Sequence, residues 1–195
     1  MRRRTISLKK LSDELFKNGA KEMAGRSRGA RIRGTIERIL KDEGESLLVL
    51  DFSGTGPIDF SWADEVVAKM VSRLWSDEYG DRFVVLKGLS SSQAENIGVA
   101  LERKKLAVLT VGPGGWRIFG SLNNYLIQTL NQIMRKRRLT LRELSEAEGI
   151  GMNTSGTRLL NLYKKRLVAR VEGICSPNRG VSQRGRPYVY QSLLA

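Results

Sequence analysis

The sequence predicts an α/β chain built as two domains: a small sheet with helices packed on one face over residues 1–118, then an α+β domain of three helices and a β-hairpin over 119–195. Three observations carry this prediction. Strand-like and helix-like stretches alternate through the middle of the chain, as parallel strands joined by right-handed crossovers require. Three amphipathic helical stretches and two strand-like ones follow after residue 124. Charge is also partitioned. Residues 1–38 hold 12 Lys and Arg against 4 Asp and Glu, residues 39–120 hold 9 against 12, and residues 121–195 hold 13 against 4; the nets of +8, −3 and +9 make up the total of +14. An acidic centre between basic ends points to one module facing protein or small molecules, and to one or two surfaces facing a polyanion.

The N-terminal stretch is basic through Arg2, Arg3, Arg4, Lys9, Lys10, Lys17, Lys21, Arg26, Arg28, Arg31 and Arg33. Leu8, Leu11 and Leu15 make a helical stripe, so part of it is expected to pack against protein while Arg2 to Arg4 fray into solvent as a secondary nucleic-acid contact. An amphipathic helix is expected over 26–41, with Ile32, Ile36, Ile39 and Leu40 on one face, and a buried strand over 46–52. After the irregular run 53–57, Ser61 is expected to cap a helix reaching residue 75, its hydroxyl accepting from the backbone N–H of Asp64 or Ala63. Asp64 and Glu65 in that first turn suit the positive end of the helix dipole. A strand over 82–87, a helix over 92–104 and a strand over 106–111 complete the alternation. The cluster Gly112, Pro113, Gly114, Gly115 lacks the Lys-Ser/Thr of a phosphate cradle and reads as a tight turn into another strand over 116–120. Ser90, Ser91 and Ser92 read as a loop entering a helix cap.

Composition narrows the function classes. At 195 residues, 41% hydrophobic and 28% charged, the chain can build two small cores and is not of disordered type. No apolar run approaches the roughly 18 residues of a membrane span, and no signal-peptide apolar stretch follows Arg2 to Arg4, so a cytoplasmic location without a membrane partner is expected. Cys175, the single cysteine, reads as an inert strand residue. The chain has no histidine, which removes the commonest general base, the His-bearing triads and every His-bearing zinc site. Asp51, Asp59, Asp64 and Glu65 remain, and read as caps and solvated faces before acid/base partners. No enzymatic activity, cofactor or metal is expected.

Leu48-Val49-Leu50-Asp51-Phe52-Ser53-Gly54, then Ile58, then Ser61-Trp62-Ala63-Asp64-Glu65 resembles the strand, loop and helix start of bacterial STAS-like proteins, and Gly25, Arg26, Gly29 and Arg33 fit the same pattern. The resemblance covers roughly residues 5 to 112 and implies a STAS-type α/β sandwich without enzymatic activity. In anti-sigma-factor antagonists of that wider fold, the loop before this helix carries a regulatory serine phosphorylated by a kinase. Here Phe60 takes the phosphorylated place, and Ser61, the neighbouring regulatory candidate, reads first as a helix cap.

The C-terminal domain begins with a helix over 125–137, with Leu126, Ile127, Leu130, Ile133 and Met134 on one face and Arg135 to Arg138 at its negative end. Thr140 caps a short helix over 141–148 with Glu143 as its capping-box partner, and Leu141, Leu144 and Ala147 are expected inward. Gly149-Ile150-Gly151 makes the turn. A third helix over 153–166 is expected to turn Gly156, Leu159, Leu160 and Tyr163 to the core, with Leu167 beyond its end. Its outer side then holds Thr154, Thr157, Arg158, Asn161 and Lys165, flanked by Ser155 and Lys164: hydroxyls, an amide and cations without a carboxylate. That set suits approach to phosphates and base edges, with Arg158 matched to guanine, Asn161 to adenine, and Lys164 and Lys165 to phosphates. Gly156 serves either close approach to the DNA backbone or helix packing. A basic hairpin follows, with strands over 167–173 and 188–191 and Arg179, Arg184 and Arg186 in its loop.

Residues 159–168 and 184–190 resemble bacterial winged helix-turn-helix regulators. The resemblance covers about residues 121 to 195 and implies that the third helix enters the major groove while Arg179, Arg184 and Arg186 touch a flanking groove or phosphates. The expectation is therefore a DNA-binding regulator of transcription whose partner is double-stranded DNA, with the STAS-like domain meeting a protein partner or an effector. A single module of this size buries limited DNA surface, so sequence-specific binding would call for a homodimer on a repeated site. The alternative class is a partner-switching adaptor whose STAS-like domain docks on a kinase-like ATPase while the basic domain binds protein or RNA.

Overall fold

The computed structural model describes residues 1–16, 23–41, 46–173 and 188–195. The chain is mixed α/β and divides into two compact units, Met1–Leu122 and Asn123–Ala195, so the join falls later than the boundary expected after residue 118. No helix among the described residues is long and apolar enough to cross a membrane.

The first unit holds a five-stranded sheet in sequential order: β1 Arg3–Ser7, β2 Leu47–Asp51, β3 Phe83–Lys87, β4 Ala107–Gly112 and β5 Gly115–Gly120. The first four pair in parallel, and β5 returns antiparallel on β4 through the turn at Pro113 and Gly114. Its helices are α1 Leu8–Leu15, α2 Arg26–Lys41, α3 Phe60–Ala63, α4 Lys69–Trp75 and α5 Ser91–Arg103. Leu48, Leu50 and Leu86 from the strands, with Phe52 just beyond β2, join Ile32, Ile36, Val66, Met70, Ile97 and Leu101 from the helical segments in one buried core. The alternate strand residues Leu47, Val49, Phe83, Val85 and Leu109 are buried too, which is why β2 and β3 read as unbroken apolar runs. Ser90 caps α5 with Gln93 as its reciprocal partner. Gly120, at φ 91°, closes β5 where a Cβ would lie 2.1 Å from the Leu106 carbonyl oxygen, so no other residue fits there.

Three features of this unit differ from the sequence reading. Arg3 and Arg4 do not fray: they pair in parallel with Leu47 and Leu48 as part of β1. An edge strand that buries only Ile6 leaves little apolar pattern to read, and its partner lies far along the chain. Ser61 is not the cap of its helix. The Asp59 carboxylate holds that position, accepting from Trp62 N at 2.7 Å, and it also accepts from Gly25 N at 3.0 and 3.1 Å, just before α2. An ionised acceptor makes the stronger bond to these N–H groups. Finally, the helical run from Phe60 to Trp75 contains a π-helical turn, Asp64–Ala68, in which Lys69 N–H reaches the Asp64 carbonyl.

The second unit contains α6 Asn124–Lys136, β6 Arg138–Thr140, α7 Leu141–Glu148, α8 Met152–Lys164, β7 Val168–Glu172 and β8 Tyr188–Ser192. The three strands form an antiparallel sheet in the order β6-β8-β7. Leu126, Leu130 and Ile133 of α6 are buried, as are Leu139, Leu144, Leu159, Leu162, Leu167, Val168, Tyr190 and Leu193. The Thr140–Glu143 capping box forms as expected, and Gly149 closes α7 at φ 62°. Ala147, expected inward, is exposed. The short β6 has no counterpart in the sequence reading, which takes Arg138 with the cationic end of the preceding helix and Thr140 as the cap of the next; Arg137, at φ 65°, turns the chain out of α6. Arg166 makes the matching turn from α8 into β7 at φ 56°.

Candidate nucleic-acid interface

The side of α8 turned from the core is set by what the helix buries. Ser155, Leu159 and Leu162 are its buried residues, whereas Gly156, Leu160 and Tyr163 are only half-buried, so the inward stripe is rotated from the one counted along the sequence. Gly156 explains part of this. A Cβ on it would meet Leu141 Cδ1 at 3.0 Å, so the glycine lets α8 close on α7, the packing role among the two weighed for it. Leu162 fills the interior in place of Tyr163, whose ring is left to arginines: Arg170 lies 4.3 Å and Arg166 5.1 Å from its centroid.

The rotation sorts the candidate contacts. Thr154, Thr157 and Lys164 are exposed, while Arg158, Asn161 and Lys165 are half-buried. Ser155 is a correction: it is fully buried, its hydroxyl donates to the Gly151 carbonyl at 3.2 Å, and it is no part of the outer surface. Thr157 donates to the Asn153 carbonyl at 2.9 Å, which leaves its hydroxyl oxygen only an accepting role toward any further partner. Lys164 is the more exposed cation at this helix end, and the partial burial of Lys165 pushes its ammonium below the usual range.

Thr154, Thr157, Arg158 and Asn161 line a groove of about 420 Å³ together with Asn153 and Tyr125. Tyr125 lies at the start of α6, and the sequence marks it only as the beginning of a helix. Its 39% exposure marks it as surface, and Arg158 stacks over its ring at 5.3 Å. Arg158 also donates from Nη1 to Glu148 Oε2 at 2.7 Å. The outer face of α8 carries no carboxylate of its own, but the end of α7 brings one to it. The sequence signal for Glu148 is its position, an acid in the last turn of a helix where the dipole disfavours it.

At the root of the hairpin, Arg170 of β7 sits between the rings of Tyr163 and Tyr188, 4.3 Å from each centroid. These three residues tie α8, β7 and β8 together; the sequence places Tyr163 on the core side of its helix and gives no role to Arg170 or Tyr188. Arg179, Arg184, Arg186 and Cys175 lie outside the described residues, as do Lys17 and Lys21.

In the first unit, each carboxylate considered for acid/base work is engaged. Asp51 accepts from Ser53 N at 2.9 Å and faces Lys87 at 3.4 Å; the Ser53 hydrogen bonds, ahead of the lysine, hold its carboxyl below the usual range. Asp64 pairs with Lys104 at 2.5 Å and Arg26 at 3.7 Å. Glu65 is buried, with Arg33 at 3.1 Å, Lys69 at 2.5 Å and Arg26 at 3.7 Å. Arg33 continues to Glu37 at 2.7 Å, which also receives Arg73 and the Tyr79 hydroxyl, both at 2.8 Å. Gly29 makes room for this chain, since its Cβ would lie 3.1 Å from Glu65 Cβ. Ser61 is half-buried inside the first turn of α3. A second groove, of about 240 Å³, lies among Ser90, Ser91, Gly114 and Arg117.

Comparison with protein-family models and with curated proteins returned no match.

Proposed function

We propose that the chain is a DNA-binding regulator, with a STAS-like interaction or sensing domain in the first unit and a winged helix-turn-helix domain in the second. The observation that carries the proposal is the outer side of α8, where Thr154, Thr157 and Lys164 are exposed beside Arg158, Asn161 and Tyr125. Hydroxyls, an amide, a fork of N–H donors and an ammonium stand on one helix, in a segment with 13 Lys and Arg against 4 Asp and Glu. The element order supports the same reading: three helices, a strand between the first two, and a two-stranded hairpin after the third. On this reading α8 lies in the major groove, and the arginines between β7 and β8 meet phosphates or a flanking groove.

The sequential parallel strands crossed by helices support a STAS-like first unit. Its carboxylates are held in ion pairs and caps, which favours a binding role over acid/base chemistry. A homodimer on a repeated site is part of the proposal.

The test is an electrophoretic shift with duplex fragments of the source genome. Binding should weaken by about three orders of magnitude between roughly 50 and 200 mM salt if six or more phosphates are contacted, and charge reversal at Arg158 together with Lys164 should abolish it. Absence of a shift with every fragment, alongside a stable complex with a kinase-like ATPase, would instead favour the partner-switching adaptor.

A further inference from the structure

We infer that Glu148 is a positioning residue for Arg158, one that sets how well the α8 face discriminates between DNA sequences; this rests on the duplex-binding reading of that face. Two contacts fix the Arg158 guanidinium: Glu148 Oε2 takes one of its N–H groups at 2.7 Å, and the ring of Tyr125 lies 5.3 Å from its centre. An ion pair holds one corner of a planar group and an aromatic face restrains its tilt. The side chain is 19% exposed and borders two grooves, one with Tyr125, Asn153, Thr154, Thr157 and Asn161, the other with Gln128, Gln132, Glu148 and Ile150.

Glu148 is poorly placed on every other ground. It occupies the last turn of α7, where the dipole disfavours an anion. Its side chain is 14% exposed, and its Oε1 is buried with no hydrogen-bond partner among the described residues. It also stands beside a surface proposed to meet phosphates, which a carboxylate repels. Its effect on Arg158 accounts for its presence. An arginine whose charge is countered is a weak anchor for phosphate, yet its remaining N–H donors can still fork onto a guanine edge. Freed from the carboxylate, the same arginine would reach for any phosphate and bind all sequences more alike.

The experiment selects the best-bound fragment from a random-sequence duplex pool with the wild-type chain, then measures its affinity against a scrambled duplex of the same length and composition. Glu148→Gln should tighten binding of the scrambled duplex and lower the affinity ratio by about tenfold, within the range one bidentate base contact supplies. Glu148→Asp should recover part of the ratio. In an Arg158→Ala background Glu148→Gln should leave the ratio unchanged. Thermal melting of each variant reports folding. If Glu148→Gln does not fold, Arg158→Lys serves in its place, since an ammonium lacks the planar fork: the ratio should fall while the scrambled duplex still binds. The inference is overturned if the ratio survives either substitution, if both duplexes shift by one common factor, or if Glu148→Gln acts equally without Arg158. A wild-type chain that binds duplexes without discrimination overturns it while leaving the DNA-binding reading standing. A wild-type chain that binds no duplex overturns both.

Discussion

Arg33 of α2 and Glu65 of the π-helical turn meet at 3.1 Å with only 13% and 3% of their side chains exposed, and this pair links the two helical segments of the first unit. Removing one member of a buried pair leaves the other desolvated, at a cost of about 3 to 5 kcal/mol. Glu65→Ala is expected to destabilise the unit by about 3 kcal/mol, since Arg33 keeps Glu37, and Glu65→Gln by less. Urea denaturation followed by the tryptophans of the first unit measures this. Equal midpoints for Glu65→Ala and wild type would show that the pair contributes nothing net.

The same cluster predicts a dependence on pH. Burial opposes ionisation of Glu37 and Glu65, but the hydrogen bonds from Arg33 and Tyr79 to the first, and from Lys69 and Arg33 to the second, hold both carboxyls below the usual range. The unfolded chain takes up these protons first, so the stability they contribute is present above about pH 4.3 and is lost as pH falls through their folded values. Tyr79 behaves oppositely. Burial, aided by Glu37, pushes its phenol up to about 12, so its contribution is complete below about pH 10 and is lost as pH rises through about 12. Melting temperature measured from pH 3 to 12 should fall at both ends; Tyr79→Phe should flatten the alkaline limb and, because Glu37 loses the Tyr79 hydrogen bond, also soften the acid limb.

Gly120→Ala is expected to be the most damaging small change in the first unit. Its φ of 91° and the 2.1 Å approach to Leu106 O require the β5 end to move, a cost above the ~1–3 kcal/mol of backbone strain alone. A melting temperature within a degree of wild type would contradict this.

Thr140→Ala removes the hydroxyl that caps α7, while Glu143, whose carboxyl is held low first by the backbone N–H of Thr140 and then by its hydroxyl, keeps the backbone bond alone. A loss of about 1 kcal/mol is expected in chemical denaturation of the second unit. Lys164→Ala should leave stability unchanged, weaken all duplexes alike, and reduce the slope of log K against log salt by about one. A change confined to one sequence would assign Lys164 to base reading instead.

Local signals explain what could be read in advance. The limits of α2, the apolar runs of β2 and β3, and the Thr140 capping box each follow from a few neighbouring residues. β1 and β6 escaped because both are short edge strands rich in arginine, and their partners Leu47 and Gln191 lie many residues away. The π-helical turn has no composition of its own. At α8, counting 100° per residue found Thr154, Thr157, Arg158 and Asn161 together but left Ser155 flanking them, whereas it is buried; the close approach to α7 that Gly156 permits, where a Cβ would meet Leu141 at 3.0 Å, leaves no signal along α8 itself. Glu148 and Tyr125 came from other helices, and no pattern along α8 could have supplied them.

The arginine held between Tyr163 and Tyr188 has a mechanical consequence. Because Arg170 is clasped by one ring from the helix and one from the neighbouring strand, a change at either ring would loosen its hold on the other, so the ends of α8, β7 and β8 depend on one shared side chain.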